Sequence, residues 1–286
     1  MIGRSLLLSV CSLTISSGLA QIIDIHQHFD RRAGYFEDLD RTYRPLNARA
    51  CVNGMIGDMK AIQAGAEKYP QTVIPFGRIR LDNPNALSDL KAFHDAGFQG
   101  IKIHSPEKDY DDRSYFPVYE QIQKYGFLLL MHSGVSSRPN TDRPSNASFA
   151  RMRPSFLSSI ARAFPKITIV GAHLGNPWYD EAAEAARWDP NLYFDVTGST
   201  LLKKQGNLRI FKEYFWWRTD VASPHTPKAT AHAFEKLLFG TDEDPIHLAD
   251  NIGRYKRMLD ACEVPVESQN RIMGGTALEL LKLSKK

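Results

Sequence analysis

The sequence predicts a (β/α)8 barrel, and three observations support this prediction. Eight short, largely apolar runs alternate with amphipathic stretches of helical periodicity from residue 22 to the C-terminus. Eight strands favour a closed barrel over an open, doubly wound sheet. The segment Asp24–His28, at the end of the first strand, contains no glycine, whereas an open dinucleotide-binding sheet needs a glycine-rich phosphate loop there. A chain of 286 residues is long enough for one such barrel.

The predicted strands are short runs rich in apolar residues, as expected for strands that are buried on both faces of a parallel sheet. In chain order they are Ile22–His26, Arg49–Asn53, Thr72–Ile79, Gly100–His104, Phe127–His132, Ile167–His173, Leu192–Val196 and Leu237–Gly240.

Helices are predicted for most of the intervening segments, and several end at a glycine or a proline, which stop helices. They are Met55–Tyr69, Ala86–Ala96, Tyr115–Tyr125, Ala147–Phe164, Asp180–Arg187, the region around 229–235, Asn251–Cys262 and Ser268–Leu283. Two segments do not fit this pattern. Phe29–Leu46 contains Gly34 and Pro45, so we predict that the first barrel helix is reduced to a loop. Gly198–Lys228 is irregular and aromatic, and we expect it to cover part of the barrel mouth.

The composition is that of a soluble globular protein, with 43% hydrophobic and 24% charged residues. The net charge of +4 comes from scattered Lys and Arg, so we expect a small-molecule substrate and no nucleic-acid partner. Three cysteines without CxxC spacing argue against a disulfide scaffold and a zinc finger. No apolar run is suited to a stable membrane span. Homo-oligomerisation is left open by the sequence.

The N-terminus has the layout of a secretory signal peptide. Arg4 precedes an apolar, Ser-rich run that ends Gly18-Leu19-Ala20, with small residues at the positions that a signal peptidase reads. We therefore expect residues 1–20 to be removed on export to the periplasm or the medium, leaving 21–286 as a single barrel domain. If the segment is not a signal peptide, the expected location is the cytoplasm.

Five side chains with catalytic chemistry lie where predicted strands end. His26 and His28 end the first strand, His132 the fifth and His173 the sixth, and Asp242 follows the eighth. The carboxyl ends of all strands of a barrel meet at one face, which carries the active site. We therefore expect these residues to lie together.

Three imidazoles and one carboxylate, from His26, His28, His132 and Asp242, form a ligand set that suits one divalent metal. Zinc is the expected ion, although manganese, cobalt and iron accept the same ligands. Such a metal lowers the pKa of a bound water to roughly 7. We assign Asp242 as both ligand and proton acceptor, and His173 as a residue that hydrogen-bonds this water or polarises the substrate.

The motifs DIHQH, GIKIH, MHSG, GAHLG and FGTDEDP, in this order, resemble those of the amidohydrolase superfamily. The resemblance is to the amidohydrolase-related group that includes aminocarboxymuconate semialdehyde decarboxylase and the pyrone-dicarboxylate lactonases. It implies that His26, His28, His132 and Asp242 hold one divalent metal, usually zinc. It also implies that His173 is catalytic without binding the metal.

Other candidates have weaker support. Lys102 lies where binuclear members of the superfamily carry a carboxylated lysine that bridges two metals, but Lys and His two residues apart on this strand are common in the mononuclear group. We therefore expect one metal, with Lys102 packed in the barrel or binding a substrate anion. His104 is a candidate for orienting substrate, Arg138 for holding a carboxylate, and Trp178 for lining the pocket.

The leading functional hypothesis is hydrolysis of an ester, lactone or amide bond in a small, carboxylate-bearing substrate. Non-oxidative decarboxylation of an aromatic or unsaturated acid at the same site is the first alternative. A barrel that binds a ligand without catalysis is the second, and the presence of all five site residues argues against it. The sequence contains no GxSxG, P-loop or GxGxxG motif, so serine-nucleophile and phosphoryl-transfer chemistry have no support.

Overall fold

The computed structural model describes residues 21–136, 148–215 and 233–283. The predicted signal peptide, Arg138 and much of the predicted covering segment lie outside these residues. Eight strands form one sheet in sequential order, and each pairs in parallel with the next. Helices alternate with the strands. The predicted (β/α)8 barrel is therefore confirmed.

All eight predicted strands are present, with ends that differ from the prediction by a few residues. They are β1 Ile22–His28, β2 Ala48–Gly54, β3 Val73–Ile79, β4 Gly100–Ile103, β5 Leu128–Met131, β6 Ile169–Gly171, β7 Leu192–Asp195 and β8 Leu237–Leu238. Two backbone hydrogen bonds join the segment that follows β8 to β1. Ile25 N donates to Phe239 O at 3.0 Å, and Asp242 N donates to His26 O at 2.8 Å. These bonds close the barrel and place Asp242 beside β1.

The helices pack around the outside of the barrel. They are α1 Tyr35–Tyr43, α2 Met59–Lys68, α3 Ala86–Asp95, α4 Phe116–Tyr125, α5 Pro154–Ala163, α6 Tyr179–Trp188, α7 Ser199–Lys203, α8 Ile210–Phe215, α9 Leu248–Ala261, α10 Val266–Asn270 and α11 Thr276–Leu280. Short 3-10 turns and one π-helical segment, Arg271–Gly275, connect them. Among the described residues, no helix has the length and apolar character needed to cross a membrane.

The prediction that the first helix is reduced to a loop was wrong, because α1 occupies part of that segment. Tyr35, Leu39 and Tyr43 recur every four residues and are all buried. This spacing places them on one face of a helix. Acidic and basic residues lie between these three in the sequence, so the composition of the segment does not reveal their helical spacing. Tyr43 also donates to Asp24 Oδ2 at 2.6 Å, which ties α1 to β1.

A β-bulge in β1 turns the histidines of this strand toward the barrel interior. The pairing with β2 advances three residues in β1, from Asp24 to Gln27, against two in the partner strand. Ile23 and Ile25 pack in the apolar interior cluster, whereas beyond the bulge it is the even-numbered residue His26 that faces inward. One extra residue in a strand shifts the alternation of its side chains in this way.

Candidate active site

A cavity of about 300 Å³ lies at the carboxyl ends of the strands and contains most of the predicted site residues. Its lining is His26, His28, Arg78, His104, His132, Val135, Ser136, His173, Gly198 and Asp242. The cavity thus brings together five histidines, one arginine and one carboxylate that are widely separated in sequence. This is the face on which barrel enzymes build their sites.

Three of these side chains form a compact group that could hold a metal ion. One ligand atom from each of His26, His28 and Asp242 lies within 4.8 Å of the others. Asp242 Oδ1 is 3.3 Å from His28 Nε2 and 3.5 Å from His26 Nε2. Imidazole nitrogens and a carboxylate oxygen suit a divalent first-row metal.

His132 lies on the same cavity but outside this compact group. Its ring centroid is 4.0 Å from that of His104 and 4.7 Å from that of His173. Its Nε2 is 3.3 Å from the carbonyl oxygen of Val135. The structure therefore places His132 next to the group, with its ring turned toward the β5 loop.

His173 faces Asp242 with one ring nitrogen, and a threonine orients the other. Thr197 Oγ1 donates its only proton to Asp195 Oδ1 at 2.6 Å, so it must accept from His173 Nδ1 at 2.8 Å. The proton of this hydrogen bond lies on Nδ1, so Nε2 is the nitrogen that faces Asp242, at 3.6 Å from Asp242 Oδ2. In this tautomer His173 can accept a proton on the cavity side.

The backbone is strained at both residues that are expected to handle protons. His173 has φ 62° and Asp242 has φ 52°, in the left-handed region that few non-glycine residues adopt. His173 N is held by Asp195 Oδ1 at 2.8 Å, and Asp242 N by the carbonyl of His26. Strain of this kind is concentrated at functional sites.

Asp195, at the end of β7, is a site residue that the sequence analysis missed. It is fully buried and accepts hydrogen bonds from His26 Nδ1 at 2.9 Å and from the backbone nitrogens of His173 and Thr197. Burial alone would raise its pKa, but the neighbouring His26 and the other donors hold the pKa well below its usual range. Its position at the end of a predicted strand was the available signal.

Lys102 is fully buried on β4, and its Nζ lies 2.9 Å from His26 Nε2. Because Asp195 takes the proton on Nδ1, the Nε2 of His26 accepts from Lys102. Burial lowers the pKa of Lys102 to about 8. Burial and the nearby Lys102 lower the pKa of His26 to about 4, so its imidazole is neutral.

The remaining candidates occupy different environments. His104 lines the cavity and contacts Ser105 through Nδ1, and burial lowers its pKa to about 3. Trp178 is not among the cavity-lining residues; its ring lies 5.5 Å from that of Phe149 and 4.9 Å from the Arg153 guanidinium. Arg138 belongs to the part of the chain that is not described.

This fold and site define a barrel with a histidine- and carboxylate-lined cavity at its carboxyl face. The chain belongs to the amidohydrolase family, whose model matches residues 58–283. No curated protein matches the chain.

Solved structures with the same fold cover nearly the whole chain at low identity. An uncharacterised TIM-barrel protein from Bordetella bronchiseptica has 18% identity and a TM-score of 0.65, covering 92% of this chain and 98% of its own. The 5-carboxyvanillate decarboxylase of Sphingomonas paucimobilis has 13% identity and a TM-score of 0.59, covering 93% and 100%. The Novosphingobium aromaticivorans enzyme of the same name, with bound manganese and a nitrobenzoic acid, has 13% identity and a TM-score of 0.59, covering 92% and 97%.

Proposed function

We propose that this protein is a metal-dependent hydrolase that cleaves an ester, lactone or amide bond in a small, carboxylate-bearing substrate. The observation that carries the proposal is the group of His26, His28 and Asp242, with His173 Nε2 3.6 Å from Asp242 Oδ2. Ligands for a metal and a base for a proton are thereby next to each other in one cavity.

The donor set fits a single divalent cation. His26 donates from Nδ1 to Asp195, which leaves Nε2 as its ligand atom on the cavity side. Burial lowers the pKa of His28 and keeps its imidazole neutral, as metal ligation requires. We propose His26, His28, His132 and Asp242 as the ligands, with His132 turning from the β5 loop to complete the set. Zinc is the first choice of ion, and manganese, cobalt and iron are compatible with the same ligands.

When bound, such a metal supplies an activated water and polarises the carbonyl oxygen that is attacked. The residues of the chain handle the proton. Asp242 accepts it: burial alone would raise the pKa of this carboxyl group, but the neighbouring imidazoles outweigh burial and hold the pKa below its usual range, so the group is ionised. His173, oriented by Thr197, lies close enough to Asp242 to pass the proton on to the leaving group.

Decarboxylation is the second candidate, because two structures of the same fold are 5-carboxyvanillate decarboxylases and one of them holds manganese. In that reaction the same cavity would bind an aromatic acid, and no water would be added across a bond. The two reactions share the metal ligands and differ in the fate of water.

Labelled water distinguishes the two reactions. The zinc-loaded and the manganese-loaded protein are incubated in H2¹⁸O with a panel of lactones, carboxylated esters and amides, and hydroxybenzoic acids. Hydrolysis is expected to place ¹⁸O in the product, whereas decarboxylation releases carbon dioxide and leaves the remaining phenol unlabelled. Carbon dioxide release without turnover of any ester, lactone or amide would overturn the hydrolase proposal.

Variants test the assigned roles. His173→Asn suits a left-handed backbone, and we expect it to keep its metal and lose about 10²–10⁴-fold in kcat. Asp242→Ala and His132→Ala are expected to lose the metal by elemental analysis. His94→Asn, at an exposed histidine on α3, is the matched control and should leave both properties unchanged. Full zinc stoichiometry and affinity in His132→Ala would contradict its assignment as a ligand.

A further inference from the structure

Arg78 projects into the cavity from the end of β3. Ile74 and Phe76 on the same strand pack in the apolar cluster inside the barrel. Side chains two residues apart lie on the same face of a strand, and Arg78 accordingly lines the cavity together with the candidate metal ligands. β3 therefore places the Arg78 guanidinium in the cavity, directly above the apolar interior of the barrel.

This guanidinium has no partner in the described parts of the chain. Arg78 is only partly exposed, and no hydrogen bond or ion pair joins it to any described residue. Burial, and to a smaller extent the neighbouring Arg80, lowers the pKa of Arg78, as expected for a charge that is withdrawn from water. Charged groups in such positions are normally paired, so the cavity leaves room for a partner from outside.

The surroundings of Arg78 favour an anion as that partner. Lys102 lies directly opposite Arg78 in the register of β3 and β4, which brings two cationic side chains to the same level. Asp242 is the one carboxylate among the described residues that line the cavity, and it faces His28 and His26. A divalent cation held by these ligands would add further positive charge. The cavity therefore attracts negatively charged ligands.

We propose that Arg78 binds a carboxylate of the substrate and thereby orients the substrate in the cavity. A planar guanidinium forms two parallel hydrogen bonds with a carboxylate, which fixes direction as well as position. The proposal rests on the proposed function in one respect, because it takes from it that the metal holds a second group of the ligand. It makes Arg78 the anchor for the carboxylate, a role that the sequence had suggested for Arg138.

Binding of dicarboxylates and monocarboxylates tests this role without turnover. Isothermal titration calorimetry of the zinc-loaded protein compares isophthalate with benzoate, and glutarate with valerate. We expect at least one dicarboxylate to bind about tenfold or more tightly than its monocarboxylate partner. In Arg78→Met this advantage should fall to the statistical factor of about two, because the second carboxylate has lost its partner.

Two further variants distinguish the loss of the paired hydrogen bonds of Arg78 from a general loss of positive charge and from misfolding. Arg78→Lys keeps the charge but loses the planar fork, so we expect it to retain part of the advantage. Arg80→Met removes an exposed cation two residues along the chain and should retain all of it. Zinc content and the unfolding temperature are measured for each variant. If Arg78→Met has lost zinc, the comparison rests on Arg78→Lys.

Two results would overturn the proposal: no dicarboxylate advantage in the wild-type protein, or an equal advantage in the wild type and the Arg78 variants. Failure of the proposed function is seen separately. Absence of hydrolysis in the labelled-water assay leaves the binding comparison intact, and absence of zinc is detected by elemental analysis before any titration.

Discussion

His26 Nδ1 donates a hydrogen bond to Asp195 Oδ2 at 2.9 Å, between two buried residues that lie 169 positions apart in the sequence. This bond determines which nitrogen of His26 faces the cavity. A carboxylate behind a ligating imidazole fixes its tautomer and increases its basicity. The same carboxylate holds the backbone nitrogen of His173, so one buried side chain orients two imidazoles.

Asp195→Asn is expected to weaken zinc binding by about 10–100-fold. The amide keeps the size of the side chain but loses the negative charge that stabilises the Nδ1–H tautomer of His26. The dissociation constant is measured by competition with a chelator. Asp189→Asn is the matched control, since Asp189 is equally buried but bonds to Ser158 and Arg162 away from the cavity. Equal zinc affinity in Asp195→Asn and the wild type would contradict this prediction.

Lys102→Met is expected to strengthen zinc binding by about threefold or more, with one metal per chain before and after the substitution. Lys102 donates to His26 Nε2, the atom proposed to bind the metal, so its ammonium competes for the same lone pair. Elemental analysis gives the stoichiometry, and chelator competition gives the affinity. Two metals in the wild type and one in Lys102→Met would instead identify Lys102 as a carboxylated, bridging ligand.

Gly134→Ala is expected to lower the free energy of unfolding by about 2–3 kcal/mol. Gly134 has φ 88°, and an added Cβ would lie 2.1 Å from the backbone oxygen of Asn176. The clash would separate the loops that carry His132 and His173, so turnover should fall as well. Unfolding is followed in urea.

Gly126→Ala is the control for backbone strain alone. Gly126 also has a positive φ, of 72°, but no atom lies within 4 Å of its added Cβ. We expect Gly126→Ala to lower the free energy of unfolding by about 1 kcal/mol and to keep full activity. Equal losses of unfolding free energy in Gly134→Ala and Gly126→Ala would mean that the contact between the two loops does not contribute to stability.

Lys236 makes a pH-dependent contribution to the free energy of unfolding. It lies at the amino ends of the strands, at the opposite end of the barrel from the cavity. Its Nζ donates to the carbonyls of Asp189, Pro190 and Leu192 at 2.8–3.2 Å, and burial lowers its pKa from 10.5 to about 8. Between these two values the unfolded chain binds more protons than the folded chain, so this contribution to the free energy of unfolding rises with pH.

Urea unfolding at pH 7.5 and 9.5 measures this contribution. The stability difference between the wild type and Lys236→Met is expected to grow by about 1–2 kcal/mol over that range, in favour of the wild type. Lys124→Met, at an exposed lysine on α4, should show a difference that does not change with pH. If the stability of the wild type relative to Lys236→Met falls as the pH rises, the predicted direction of the pH dependence is wrong.

The strands were predictable because a parallel sheet covered on both sides makes every strand a nearly continuous apolar run. Gly100–Ile103 and Leu192–Asp195 differ by only one residue at one end from the predicted β4 and β7. The helix α1 was missed because its burial depends on three large side chains among charged neighbours. Local composition does not reveal which face of such a helix meets the barrel.

The sequence by itself determined the barrel and the five residues with catalytic chemistry at its strand ends, because strand order and chain direction bring those ends to one face. Only the tertiary structure decided which side chains turn into the cavity. The bulge in β1 directs His26 inward, Asp195 determines which nitrogen of His26 faces the cavity, and Arg78 enters the cavity beside them without a partner among the described residues. These features depend on register and packing between strands that are distant in sequence, and no local pattern encodes them.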